Sequence, residues 1–123
     1  MRFIICGVVG LLLASGTAIG QKSATRFQCS FTTAVRSDGV HRERLDLEFI
    51  LDATTGKAVV VANNGMSDVL FHSGAIGMTF MELVKSGAVQ TTTMSPTGRA
   101  VHSRHTMLPT GELIPAQHYG TCK

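Results

Sequence analysis

Two cysteines, Cys29 and Cys122, stand near the two ends of the chain that is left once an N-terminal export segment is set aside. A bond between them would force the first and last elements of the domain side by side, whatever lies between. In an oxidising compartment, a single pair of this kind in a small secreted domain reads as a structural disulfide. The loop it closes spans nearly the whole mature chain, and the chain-entropy model assigns about 4.6 kcal/mol to a loop of that length. That is comparable with the net stability of a small domain. Neither cysteine belongs to a C-x-x-C motif, so the pair reads as a clamp and not as a redox couple.

The export segment is read from residues 1–20. Arg2 supplies a positive start, Phe3 to Ala14 is an almost unbroken apolar run, and Ser15-Gly16-Thr17-Ala18-Ile19-Gly20 provides the small residues that signal peptidase accepts. Cleavage after Gly20 or after Ala18 fits equally well. The run is short for a bilayer span, which needs about 20 apolar residues. Cys6 lies inside the apolar core, not after the small-residue segment where a lipidated cysteine would stand. The expected organisation is a signal peptide at 1–20 and a single β domain at 21–123. The expected location is periplasmic or secreted, with no membrane span after signal removal.

The mature chain reads as short strands punctuated by glycine turns. Leu45, Leu47, Phe49 and Leu51 alternate with Arg44, Asp46, Glu48 and Asp52, a period of two that marks a half-buried antiparallel strand. Phe27, Cys29, Phe31, Thr33 and Val35 are expected to share one face of the strand before it. Asn63-Asn64-Gly65 is the strongest hairpin signal, suited to a type I′ turn. Residues 76–84 fit either a strand or a helical stripe of Ile76, Phe80, Leu83 and Val84; Gly77, Thr79 and the surrounding hairpin rhythm favour the strand. The fold expected is all-β: a single antiparallel meander of seven to eight strands, closed by one disulfide into a small barrel or rolled sandwich. Closure would also hide the edge strands that invite aggregation.

Charge and composition remove several functions. Of eleven basic residues only Arg2 leaves with the signal, so ten face eight acidic ones. Without a Lys/Arg run there is no nucleic-acid footprint. Tryptophan is absent and Tyr119 is the single tyrosine, which lowers the case for carbohydrate platforms and protein-binding hot spots. The carboxylates are scattered singly, and Gly-rich phosphate loops are missing. Leu108-Pro109-Thr110-Gly111 reads as a hairpin turn, since a sorting signal would need a further residue and an apolar tail.

The densest polar cluster is Val101-His102-Ser103-Arg104-His105-Thr106. On a strand, His102, Arg104 and Thr106 share one face, and Val101, Ser103, His105 and Met107 the other. His102 and His105 therefore do not chelate one metal together, and no metal or cofactor is expected. Ser103 and His105, on what reads as the apolar face, resemble half of a nucleophile–base pair. No elbow motif or orienting acid accompanies them, so no catalytic residues are assigned. His102 and Arg104, expected on the outward face, are the candidate binding pair for a carboxylate or phosphate. The plainer reading pairs them across the sheet with Glu48, Glu82 or Glu112.

The blocks Thr55-Gly56-Lys57-Ala58, Asn63-Asn64-Gly65, Thr91-Thr92-Thr93, Val101 to Thr106 and Tyr119-Gly120-Thr121-Cys122 resemble a group of small exported bacterial proteins to which no activity is assigned. The layout of signal, aromatic-x-Cys strand, compact β fold and late cysteine is also similar to periplasmic lysozyme inhibitors of the small-barrel type. Their plugging Ser-Gly and Tyr segments lack a counterpart here, so that likeness is one of layout alone. The expected function is a non-enzymatic exported β domain that binds a small ligand or an envelope partner protein. The alternative is an inhibitor of a lysozyme-like or other hydrolase.

Overall fold

A computed structural model describes residues 24–123; the signal segment expected at 1–20 lies outside them. The chain forms eight strands: β1 (Ala24–Arg36), β2 (Gly39–Asp52), β3 (Ala58–Ala62), β4 (Gly65–Ser73), β5 (Met78–Leu83), β6 (Val89–Met94), β7 (Arg99–Met107) and β8 (Leu113–Cys122). Each pairs antiparallel with the next, and β8 returns to β1 to close a barrel. The ambiguous 76–84 segment is thus a strand over its central part, because it has two neighbours, β4 and β6, to complete its backbone hydrogen bonds. No helix of the described residues is long and apolar enough to cross a membrane.

The β1–β8 pairing sets Cys29 directly opposite Cys122, and their side chains form the disulfide on the lumen side of the wall. Beside it, the expected alternation of β1 breaks. A bulge between Phe31 and Thr33 shifts the register with both neighbours. Phe27, Cys29 and Phe31 point inward, but beyond the bulge Ala34 takes the fully buried place that Thr33 or Val35 was expected to fill. The bulge turns the strand over and brings backbone close to backbone. Opposite it sits Gly120, where a β-carbon would collide with the Ser30 carbonyl of β1. The β3–β4 hairpin also departs from expectation in detail. Asn63 and Asn64 keep negative φ, and the left-handed conformation falls on Gly65 (φ 126°), so the two-residue connection is not a type I′ turn.

Meander topology gives the barrel two distinct ends. One carries the turns after β2, β4 and β6 with both ends of the described chain; the other carries the turns after β1, β3, β5 and β7. The first end is filled with apolar side chains. Phe80 is 1% exposed; its ring lies 4.3 Å from that of Phe49, nearly parallel, and 5.2 and 6.0 Å from those of Phe71 and Phe27. Met94, Ala58, Ala100 and the disulfide complete this plug. On the outer wall, Arg26–Glu48, Ser30–Asp46 and Thr79–Thr93 side-chain bonds link adjacent strands.

Two stability predictions follow from these contacts. Replacing both cysteines by serine is expected to lower unfolding free energy by about 2–5 kcal/mol, measured by urea denaturation of oxidised and variant protein. Non-reducing mass spectrometry that found free thiols would remove the basis for that loss. Phe80→Ala, which empties the centre of the plug, is expected to cost about 3–5 kcal/mol and is read from the same curves.

Candidate functional site

Towards its other end the lumen changes chemistry. β6, β7 and β8 place Thr92, His102 and His118 in one row, since Thr92 pairs with His102 and His102 with His118 across the ladders. All three are buried. The next row outward holds Glu82, Gln90, Arg104 and Ala116, each in register with its neighbour. Beyond Phe31 and Phe80, therefore, the inside of β5–β8 is polar.

His102 is 3% exposed and faces the lumen. This corrects the expectation that His102 and Arg104 form an outward contact surface. The apolar character of Val101 and Met107 suggested that their side of β7 was the core side. In the barrel that side is the outer wall, where Val101 and Ser103 are half-buried and His105 and Met107 exposed. Ser103 Oγ donates to Gln117 Oε1 at 3.1 Å. The expected ion-pair partners do not meet Arg104 either. Glu48 pairs with Arg26 outside the barrel, and neither Glu82 nor Glu112 forms an ion pair among the described residues.

His102 is anchored through one nitrogen only. Its Nδ1 lies 2.7 Å from the Thr92 hydroxyl, while Nε2, fully buried, has no partner among the described residues. Arg104 Nε and both ring nitrogens of His118 are likewise buried without a partner. Buried polar atoms in folded proteins are nearly all hydrogen-bonded, to protein groups or to ordered water. Arg104 offers only donors.

His102 and Arg104 line a cavity of about 150 Å³ at this end of the barrel. Thr92, His102, Arg104, Gln90 and Glu82 line one side, from β5–β7. Leu47, Phe49, Val60 and Val69 line the other, from β2–β4, with Asn64 to Ser67 of the β3–β4 hairpin at its edge. Eight strands make a lumen wide enough for side-chain filling or for one small ligand; here one end is filled and the other is not. His118 lies behind this wall, its ring 5.8 Å from that of His102, near Arg36 and Glu43, which pair with each other.

Both buried histidines are held neutral. Burial, then the Arg104 charge and His118, push His102 down to about 4 from its ordinary 6.5. His118 is lowered by burial and by Arg104 and Arg36, against an opposing pull from Glu43. No group of three or more His, Cys, Asp or Glu side chains suited to a metal occurs among the described residues.

Because folding lowers these histidine pKa values, protonation favours the unfolded chain. Their contribution is complete above the unfolded value of 6.5 and is lost as pH falls towards about 4. For His102 that amounts to on the order of 3 kcal/mol. Unfolding free energy measured from pH 7 to 4.5 is expected to fall steeply, and His102→Gln, which cannot titrate, is expected to flatten the curve. Identical slopes for the two proteins would contradict the burial assigned to His102.

The comparisons with known proteins add no relative to this geometry: no family model, curated protein or solved structure matches the chain.

Proposed function

We propose that this is an exported, non-enzymatic binding protein that takes a small ligand into the open end of its barrel. The observation that carries the reading is a cavity lined by Thr92, His102, Arg104, Gln90 and Glu82 in a barrel whose other end is filled by aromatic side chains. Arg104, which has no ion-pair partner among the described residues, offers N–H donors to an acceptor atom of such a ligand. The walls are continuous strands, which hold such groups more rigidly than loops do. Export is supported by the N-terminal signal pattern and by the disulfide, which an oxidising compartment preserves. The resemblance to small exported bacterial proteins is compatible with this role and adds no ligand to it. The serine–histidine alternative loses support because Ser103 is occupied by Gln117 on the outer wall.

A second reading, inhibition of a lysozyme-like or other hydrolase, rests on the rim. Val40, Met66, Leu83, Met107, Leu113 and Ile114 are exposed apolar residues, and all six lie beside the turns at the open end. Clustered exposed apolar side chains mark contact surfaces.

Backbone amide shifts recorded against mixtures of neutral, cationic and anionic small molecules distinguish the two. Binding is expected to perturb Gln90, Thr92, His102 and Arg104 first. Perturbation by a hydrolase confined to the rim, with inhibition lost in Leu113→Ser/Ile114→Ser, would favour the second reading. Silence of the lumen residues towards every mixture would overturn the first.

A further inference from the structure

Hydrogen bonding around the barrel is incomplete at its open end. The β4–β5 ladder runs from Ser73–Met78 to Leu70–Met81 and stops there, although β4 continues back to Gly65 and β5 on to Leu83. In an antiparallel ladder every second residue turns its backbone N–H and C=O towards the same neighbour. The bond from the Gly74 N–H to the Gly77 carbonyl sets that alternation. His72 and Leu70 therefore bond to β5, and Asp68 and Met66 come next. Among the described residues the N–H groups of Asp68 and Met66 have no backbone partner on that side.

We propose that this free edge of β4, Gly65–Val69, takes up an extended segment of another polypeptide as an added strand, with a basic residue of that segment facing Asp68. The inference stands on the edge alone and does not require a small ligand in the lumen. An unpaired strand edge is a template for strand addition, in which the main chain supplies affinity and alternate side chains supply specificity.

Natural proteins guard free edges with charges, proline or bulges. β2 runs beyond its last pair with β3, Glu48–Val61, but that stretch carries Arg42, Glu43, Arg44 and Asp46. β8 runs beyond its last pair with β1, Gln117–Val35, and has Pro115 there. Gly65–Val69 has the single charge of Asp68, no proline and no bulge.

The edge also has space beside it, since Gly65, Met66 and Ser67 line the cavity together with Glu82 of β5. With β5 flanking the same cleft, the site favours a bare strand over a strand already walled into a second barrel. By alternation from buried Val69, Met66 and Asp68 turn outward. Exposed Leu70 and Leu83 stand near them. Opposite charges across a strand pair attract, so lysine or arginine between two apolar residues suits the outer face. Ser67 and Glu82 suit polar side chains on the inner one.

A blocked heptapeptide in which threonine alternates with valine, lysine and valine tests this against the oxidised protein at pH 7. Amide shifts are expected at Met66 to Val69, with slowed hydrogen exchange at Met66 and Asp68. N-methylation of the lysine and valine amides, which would face β4, is expected to weaken binding at least about fivefold. Asp68→Lys is expected to weaken the lysine-centred peptide by about twofold to fivefold and to strengthen a glutamate-centred one similarly. Asp68→Pro removes an edge donor, a change that edge strands tolerate, and is expected to abolish binding while the melting curve shows a folded barrel. The N-methylated peptide provides the same test should that variant not fold. Equal binding of the N-methylated peptide, or silence of Met66 to Val69 towards both peptides, would overturn the proposal. Shifts of Thr92 and His102 with small molecules would survive either result. A dimer seen by sedimentation equilibrium and dissociated by Asp68→Pro would give the edge to a second copy of the chain and would also overturn it.

Discussion

The pairing of β1 with β8 is the constraint on which the rest of the molecule depends. Without it the meander is an open sheet with two unpaired edges and no interior. With it, every strand has two neighbours and the alternating side chains of all eight point into one lumen. The Cys29–Cys122 bond sits in that seam, opposite in register and turned inward. Gly120 and the β1 bulge beside it let the two backbones approach where side chains would keep them apart. Chain-end clamp, bulge and glycine are parts of one closure.

Closure also accounts for the division of the interior. An eight-strand lumen is narrow, and three phenylalanines grouped around Phe80 suffice to fill one end of it. The remaining length is lined on one side by residues of β2–β4 and on the other by Thr92, His102, Gln90, Glu82 and Arg104, with His118 next to His102 in register. Those polar groups are desolvated by the same wall that creates the lumen, which is why the histidines stay neutral. The polar lining and the lowered histidine pKa values therefore share a cause.

Much of the fold is legible in the residues. The alternation of Leu45 to Asp52, the glycine-marked turns and the terminal cysteines together specify strands, meander and closure, because each depends on local chemistry or on a single long-range bond. Errors arise where a second chain segment intervenes. The inward run from Phe27 fails at Thr33 because the bulge answers to β2 and β8 at once. The hairpin at Asn63-Asn64-Gly65 is where it was expected, but with the positive φ on the glycine alone. The site was half legible: His102 and Arg104 stand out as a polar pair two residues apart on one strand face. Their direction was read the wrong way, because apolar Val101 and Met107 normally mark the core side and a polar lumen reverses that rule. Thr92 and His118 carry no sequence signal that joins them to His102; only the register across β6–β8 does so.

By itself, the sequence determined the strand content, the order of hairpins and which two sulfurs could close the sheet, since periodicity and turn chemistry are local and only two cysteines lie beyond residue 20. Tertiary structure alone decided which face of each strand became interior, where the aromatic plug ends and which polar groups meet across the lumen. Those depend on strand register and on closure, and a one-residue slip of register exchanges every inward side chain for an outward one.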